Sequence, residues 1–110
     1  MKLPNCDRAF VDMEKLRGYC LNTNHRRGQH KARVFAAALG LTANDAEFLR
    51  EALLNAAQSY DAKPTDAIKH GRLYVLDFPL SGVSGQVMVR SGWIVRKEED
   101  FPRLTSCYVL

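Results

Sequence analysis

The sequence has no long apolar run, and this absence excludes a protein that crosses the membrane with apolar helices. No segment approaches the roughly 18 consecutive apolar residues that a membrane-spanning helix needs. Residues 1–7 also lack the apolar core of a secretion signal, because charged and polar side chains interrupt them. We therefore predict a cytoplasmic protein with no membrane as a partner.

Cysteine is also scarce, and its placement argues against a disulfide framework and against a zinc site. The cysteines, Cys6, Cys20 and Cys107, are odd in number and scattered, whereas disulfide-rich domains and zinc sites show paired, short spacings. His25 and His30 are five residues apart, and this spacing, unlike the four-residue spacing of helical zinc ligands, does not place them on one helix face. We predict reduced thiols, no bound metal and no cofactor.

What the sequence does contain is the composition of an ordinary globular protein. Of its 110 residues, 46% are hydrophobic and 25% are charged, which suits one hydrophobic core and a single domain over residues 1–110. The 16 basic and 12 acidic residues give a net charge of +4, and much of the excess lies in residues 25–33 and 69–72. Clustered positive charge attracts polyanions such as RNA, DNA or an acidic protein.

The spacing of apolar residues changes along the chain from a helical period to a period of two. After an irregular lead-in over residues 1–11, it predicts helices at about 12–21, 29–39 and 43–59. It then predicts strands at about 71–79, 86–96 and 103–109. The fold class is therefore α+β, with three N-terminal helices packed on a C-terminal antiparallel β-meander of three or four strands. If the last loop is a simple hairpin, Ser91 lies near Tyr108 and Ile94 near Thr105.

A loop that enters the second predicted helix holds two imidazoles and several cations. Exposed amides and a partial positive charge at a helix start favour phosphate or carboxylate groups. The candidate anion-binding residues are Asn22, Arg26, Arg27, Gly28 and His30. The structural alternative is equally open, in which Gly28 permits a turn, His25 caps or packs, and the charges are solvated.

Several polar side chains fall on adjacent predicted strands. They are Arg90, Ser91, Arg103, Thr105, Ser106 and Tyr108. Together with His25 and Lys31 they supply the groups that metal-free RNA cleavage needs. An imidazole can deprotonate a 2′-hydroxyl, cations can stabilise the charge that develops on the phosphorane, and hydroxyls can orient the phosphate. The alternative is that these side chains occupy a solvated sheet face and carry out no chemistry.

Residues from both halves of the chain resemble those of a bacterial domain family. They are Leu21, Asn22, His25, Gly28, residues 31–35, Gly82, Trp93 and residues 102–108. This uncharacterised family is found as stand-alone small proteins and at the C-termini of polymorphic toxins, and the resemblance covers nearly the whole chain. Its layout is similar to that of the barnase, EndoU, colicin and RelE group of metal-independent ribonucleases.

The resemblance implies a set of site residues in this sequence. The family pattern Asn-x-x-His-x-x-Gly-x-x-Lys falls on Asn22, His25, Gly28 and Lys31, as candidate base and phosphate-holding positions. The pattern Thr-x-x-Tyr falls on Thr105 and Tyr108, which in such a ribonuclease would flank the scissile phosphate. Arg90 is added as a further phosphate-holding residue. The implied catalytic set is therefore His25, Lys31, Arg90, Thr105 and Tyr108.

Three functions stay open on this basis. The leading one is a ribonuclease-like toxin that acts on RNA and has a small acidic antitoxin or immunity protein as its partner. The second is a non-catalytic module that binds a protein or a nucleic acid through an edge strand or a basic patch. The third is a housekeeping domain with a small ligand between the second helix and the sheet.

Overall fold

The computed structural model describes residues 1–110 as an α+β fold, which confirms the predicted class. The helices are α1 (Met13–Lys15), α2 (Gln29–Leu39) and α3 (Ala46–Ser59). The strands are β1 (Lys63–Ile68), β2 (Gly71–Gly82), β3 (Gly85–Arg96) and β4 (Pro102–Val109), antiparallel and in this order across one sheet. None of the helices combines the length and the apolar character that crossing a membrane takes.

α2 and α3 are bounded by the signals that their sequences contain. α2 ends at Gly40, whose φ of 71° is the left-handed conformation that glycine adopts without strain. A 3₁₀ turn at Ala43–Asp45 leads into α3. Thr42 and Asp45 form a capping box there, in which the Thr42 N–H donates to Asp45 Oδ2 at 2.8 Å. The predicted third helix therefore begins as a 3₁₀ turn and then becomes α-helical.

The first predicted helix, at 12–21, is wrong in its detail, because α1 is a single turn that continues as a π turn at Leu16–Cys20. Asp12 caps α1, since its Oδ1 accepts from the Glu14 N–H at 2.9 Å. The Leu21 N–H then donates to the Leu16 carbonyl at 2.8 Å, which is the i to i+5 spacing of a π turn. The first and last residues of the π turn are both buried. Apolar spacing alone does not reveal the wider turn, because residues four apart face the core in either geometry.

β1 is a strand that the sequence did not predict. All six of its residues are exposed, and Pro64 interrupts it. It pairs with β2 through Lys63 opposite Val75 and Ile68 opposite Gly71, with an irregularity between Pro64 and Ala67. Because β1 is held by backbone pairing at a sheet edge and buries no side chain, it has no alternating apolar pattern. The sheet therefore has four strands.

The N-terminal lead-in is also more ordered than predicted. It contains a 3₁₀ turn at Cys6–Arg8, and Leu3 and Val11 are buried in the core. Phe10 forms a short parallel bridge at the outer edge of β4, in which its N–H donates to the Pro102 carbonyl at 2.9 Å and its carbonyl accepts from the Leu104 N–H at 3.0 Å. Residues 1–11 therefore cover one end of the β4 edge.

The two faces of the sheet have different roles. One face packs under the helices, and its buried residues include Leu76, Phe78, Val89, Trp93, Leu104 and Cys107. The helices contribute Phe35, Leu39, Leu49 and Leu53 to the same core. The other face, which we call the open face, carries side chains that alternate with the buried ones, among them Asp77, Arg90, Ile94, Arg103 and Tyr108. Any site for a large ligand on the sheet must use the open face.

The register of the last hairpin differs from the predicted one. Arg90 lies opposite Tyr108, Ser91 opposite Cys107 and Ile94 opposite Arg103. The predicted pairs of Ser91 with Tyr108 and of Ile94 with Thr105 are therefore wrong. The error begins in the loop, because Ile94, which lies between the loop and the irregularity at Gly92, is already two positions from its predicted partner. The irregularity then inserts Thr105 as an extra residue on β4, which moves the pairs beyond it by one position and leaves Ser91 one position from its predicted partner.

Candidate functional site

A row of three polar side chains crosses the open face. Asp77 on β2, Arg90 on β3 and Tyr108 on β4 occupy directly opposed positions in the sheet. Arg90 binds Asp77 through two parallel hydrogen bonds, from Nε to Oδ1 and from Nη2 to Oδ2, each at 2.9 Å. This forked geometry fixes the guanidinium beside Tyr108.

Lys31 on α2 joins this row from the helical layer. Its Nζ lies 4.4 Å from the centroid of the Tyr108 ring, a distance at which a cation is attracted to the π face. Contact is feasible because β4 is the outer strand of the sheet. Lys31, Arg90 and Tyr108, which we call the cation–tyrosine cluster, are three of the five predicted catalytic residues, and they come from distant parts of the sequence.

Thr105, the fourth predicted catalytic residue, lies on the same face beside Gly92. A Cβ at Gly92 would lie 2.8 Å from Thr105 Oγ1 and 3.6 Å from Ser106 Oγ. Both hydroxyls therefore border the space that glycine leaves empty, because the bulge turns two consecutive residues of β4 toward one face. The result is a shallow floor with two hydroxyls, two residues along β3 from Arg90.

His25, the fifth predicted catalytic residue, has its contacts elsewhere. Its Nδ1 accepts hydrogen bonds from the backbone N–H groups of Arg27 and Gly28, both at 3.0 Å. Its ring packs edge-on against Tyr19, with centroids 4.8 Å apart. Since Nδ1 is an acceptor, the neutral ring has its hydrogen on Nε2. No free lone pair is then left to remove a proton, so this geometry favours a positioning role over that of a general base.

The other residues of the Asn-x-x-His-x-x-Gly-x-x-Lys pattern also hold the loop in shape. The Asn22 side chain accepts from the Asn24 N–H at 2.9 Å and donates to the Gly18 carbonyl at 3.2 Å. Gly28 is required by a close approach, because a Cβ there would lie 2.6 Å from the Tyr19 carbonyl oxygen. This loop precedes α2 directly, so it sets the direction in which Lys31 leaves the helix.

Three of the predicted anion-binding residues, together with Arg33, which was not among them, form an exposed basic surface at the start of α2. It consists of Arg26, Arg27, His30 and Arg33, all exposed. None of the four has an acidic partner within 4.0 Å. The contact that orders one of them is neutral: Arg33 Nη2 donates to Gln29 Oε1 at 3.1 Å. This basic surface therefore presents uncompensated positive charge.

Residues 2–110 match the model of a domain of unknown function, DUF6883. The chain belongs to this family. No curated protein matches it in sequence.

Among solved structures, a chain of the contact-dependent growth inhibition toxin–immunity protein complex from Klebsiella pneumoniae 342 has a similar fold. The TM-score is 0.70, and the match covers 91% of the DUF6883 chain and 98% of the other. The sequence identity is 18%, so the likeness shows the fold alone.

The charges of Asp77 and Arg90 stabilise one another. The hydrogen bonds from Arg90 hold the pKa of Asp77 below its ordinary value of 3.8, and Lys63 adds to the effect. In turn, Asp77 raises the pKa of Arg90, with a smaller contribution from Tyr108. Asp77 therefore stays ionised in the folded protein, and Arg90 keeps a full positive charge.

The ion pair should make stability depend on pH. A carboxyl group whose pKa is lower in the folded than in the unfolded chain stabilises the fold above its unfolded value and loses that contribution as pH falls through the folded value. We expect Asp77→Asn to have a lower Tm than wild type at pH 6 to 7, and the difference to shrink below about pH 4. Thermal unfolding of both proteins across this range measures it. A difference in Tm that stays constant down to pH 2 would contradict the assignment.

Cysteine chemistry finds little support in this site. Cys20 and Cys107 are both buried. Hydrogen bonding to Cys20, together with burial, raises the pKa of the Cys107 thiol and so disfavours the reactive thiolate. No group of three or more His, Cys, Asp or Glu side chains is arranged to hold a metal ion.

Asp77 is the site residue that the sequence reasoning missed. It lies on a strand whose alternate residues are apolar, where a single carboxylate suggests only a solvated position. A usable signal was present, because Gly82 pairs with Gly85 around a two-residue turn. Counting back from that turn on both strands places Asp77 opposite Arg90.

Proposed function

We propose that this DUF6883 chain is a ribonuclease-like toxin domain that cleaves RNA without a metal ion, at the cation–tyrosine cluster on the open face. The observation that carries the proposal is the convergence of Lys31, Arg90 and Tyr108, which places two cations beside one phenol. The hydroxyls of Thr105 and Ser106 lie on the same exposed surface. The fold likeness to a chain of a toxin–immunity complex supports a role in a toxin system.

The cations suit the transition state of RNA cleavage. When the 2′-hydroxyl attacks the phosphorus atom and the bond to the 5′-oxygen breaks, negative charge builds up on the non-bridging oxygens. Arg90 offers a planar pair of donors to these oxygens, and Lys31 adds a second positive charge. The Thr105 hydroxyl orients the phosphate. Because Asp77 holds the guanidinium in place beforehand, little reorganisation is needed when the substrate binds.

Tyr108 acts as the general acid in this proposal. Its hydroxyl gives a proton to the departing 5′-oxygen, while the proton of the 2′-hydroxyl passes to a non-bridging oxygen held by Arg90. Transfer of that proton to Tyr108 then restores the phenol. The products are a 2′,3′-cyclic phosphate and a 5′-hydroxyl, and no oxidant or cofactor is consumed. His25 keeps the loop before α2 in shape and so positions Lys31.

The basic surface extends the site toward a long substrate. Its four side chains are exposed and lack acidic partners within the chain, so they are available to phosphates on either side of the cut. The same surface would attract a small acidic antitoxin or immunity protein, which would block the cluster by covering it. RNA and such a neutralising protein are the two partners that we propose.

Induced expression in bacteria tests the proposal. Wild type is expected to arrest growth and to leave cleaved RNA with 5′-hydroxyl ends, whereas the double variant Lys31→Ala, Arg90→Ala should allow growth with intact RNA. The matched control is the double variant Arg50→Ala, Lys69→Ala, which also removes one arginine and one lysine but leaves the cluster untouched. Normal growth with intact RNA in the wild-type culture, at equal protein levels, would count against a toxin.

The basic surface also favours a second candidate function, which is binding of RNA without cleavage. Positive side chains with no internal partner suffice for salt-dependent binding and need no catalytic group. In that case wild type would bind RNA with an affinity that falls steeply with salt, and the RNA would remain intact. The Lys31→Ala, Arg90→Ala variant would then bind slightly less well and otherwise behave as wild type.

A further inference from the structure

A second concave site lies on the open face at the end where β4 begins. Its volume is about 160 Å³, and its lining includes Phe10, Asp12, Lys15, Arg96, Arg103 and Thr105. We call it the rim cavity. Pockets for drug-sized ligands measure roughly 300–1,000 Å³, so the rim cavity suits a single flat ring rather than a whole nucleotide.

Phe10 gives the rim cavity an aromatic wall whose backbone is held by β4. Its backbone is bonded on both sides to β4, yet its side chain is 45% exposed. The Arg103 guanidinium lies 5.0 Å from the centroid of the Phe10 ring, and Glu99 holds that guanidinium through two hydrogen bonds of 2.8 and 2.7 Å. A half-exposed aromatic ring on a backbone that is held in place is a stacking surface for a nucleobase.

Thr105 connects the rim cavity to the cation–tyrosine cluster. It lines the cavity, and its hydroxyl also borders the floor at Gly92. Tyr108 follows three residues later on β4, which at about 3.3 Å per residue corresponds to roughly 10 Å. One RNA strand can therefore place a phosphate at the cluster and a nearby base in the cavity.

The charges around the rim cavity distinguish it from a phosphate site. Asp12 uses Oδ1 to cap α1, which leaves Oδ2 for a ligand. A carboxylate repels phosphate and accepts hydrogen bonds from the amino group of a base. Lys15 and Arg96, which have no ion pair within 4.0 Å, lie on the same lining and suit the backbone that flanks the base.

We infer that the rim cavity is a nucleobase subsite, which takes an amino-bearing base of the RNA strand whose scissile phosphate lies at the cation–tyrosine cluster. The base stacks on Phe10 and donates its amino hydrogens to Asp12. This inference rests on the proposed ribonuclease function and adds a preference for an amino-bearing base at one position near the cut.

Replacement of Phe10 tests the stacking surface. The probe is a 2′-O-methyl RNA oligonucleotide, which cannot be cleaved because it lacks a free 2′-hydroxyl, and binding is followed by fluorescence anisotropy. Loss of one base–aromatic stack should weaken binding by about 10-fold in Phe10→Ala and in Phe10→Leu, which keeps the apolar contact but has no ring. Phe48→Ala, which removes an equally exposed phenylalanine from α3, should bind as wild type.

The outcomes of this experiment separate the two proposals. Wild type that cleaves RNA while both Phe10 variants bind and cleave as wild type would overturn the subsite and leave the ribonuclease intact. Wild type that neither binds nor cleaves RNA would overturn both. Thermal unfolding of Phe10→Leu shows that any loss of binding occurs in a folded protein.

Asp12→Asn tests the choice of base. Asparagine caps a helix as well as aspartate does, but its remaining side-chain group is a donor instead of an acceptor. Sequencing of the 5′ ends of cleavage products should show that wild type cuts more often next to adenine, cytosine or guanine than next to uracil. In Asp12→Asn, the ratio of cuts next to these three bases to cuts next to uracil should fall by about 10-fold, while the variant still cleaves RNA. An unchanged preference would overturn the role of Asp12 and with it the subsite.

Discussion

Replacement of Arg90 by alanine is expected to slow RNA cleavage by about 10²- to 10³-fold, which is the usual effect of removing one donor that stabilises the charge of a transition state. The loss has a second cause in this protein. Arg90 neutralises Asp77 through two hydrogen bonds of 2.9 Å, and without it the carboxylate would face the phosphate directly. Single-turnover cleavage of a fluorescent RNA oligonucleotide measures the rate apart from product release.

Two further variants separate these causes. Asp77→Ala, Arg90→Ala removes the exposed carboxylate together with the cation, so it should recover part of the activity that Arg90→Ala loses. Arg90→Lys keeps the charge but not the fork, and its rate should lie between those of wild type and Arg90→Ala. If Arg90→Ala is folded and cleaves at the wild-type rate, the cation–tyrosine cluster is not the catalytic site.

The regular parts of the fold could be predicted because their signals are local. The bounds of α2 follow from apolar spacing and from Gly40, which ends the helix in the left-handed conformation. The start of α3 follows from the pairing of Thr42 with Asp45 in a capping box. Each of these features needs only residues within one or two turns of one another, so the sequence contains them in full.

The missed parts of the fold depend on contacts between distant residues. β1 exists because its backbone pairs with β2, and none of its side chains is buried. The β4 register depends on the conformation of the loop before Pro102 and on a bulge at Thr105, and no turn signal marks either. Phe10 joins the edge of β4 although 92 residues separate it from Pro102 in the sequence. Apolar periodicity reports burial, and these features are set by backbone pairing instead.

The candidate site could likewise be predicted only in part. The residue types in it could be named from the sequence, and the hypothesis that Lys31, Arg90 and Tyr108 act together stays a prediction that their proximity now supports. The hydrogen-bond partners of His25 could not be read from the sequence, although a capping or packing role was the structural alternative for this residue. His25 has the residue type of a general base, yet its Nδ1 lone pair is occupied by two backbone amides.

The largest loss of stability is expected from Trp93→Ala. Trp93 is fully buried between the sheet and the helices, and its Nε1 donates to Ser91 Oγ at 2.9 Å. Ser91 Oγ in turn donates to the Leu76 carbonyl at 2.7 Å. Replacing a buried tryptophan by alanine costs about 3–5 kcal/mol, a large share of the roughly 5–15 kcal/mol by which domains are stable. Urea unfolding followed by circular dichroism measures it, since the variant lacks the chain's only tryptophan as a fluorescent probe.

Two comparisons identify the origin of this loss. Ser91→Ala keeps the ring but leaves the indole N–H without a partner in the core, so it should cost roughly 1–3 kcal/mol. Phe48→Ala removes an aromatic ring that is about half exposed and should cost about 0.5 kcal/mol. If Trp93→Ala cost no more than Phe48→Ala, the ring would not be a central core residue. Because β3 carries Trp93 on one face and Arg90 on the other, the open face would then lack the rigid support that the proposed catalysis requires.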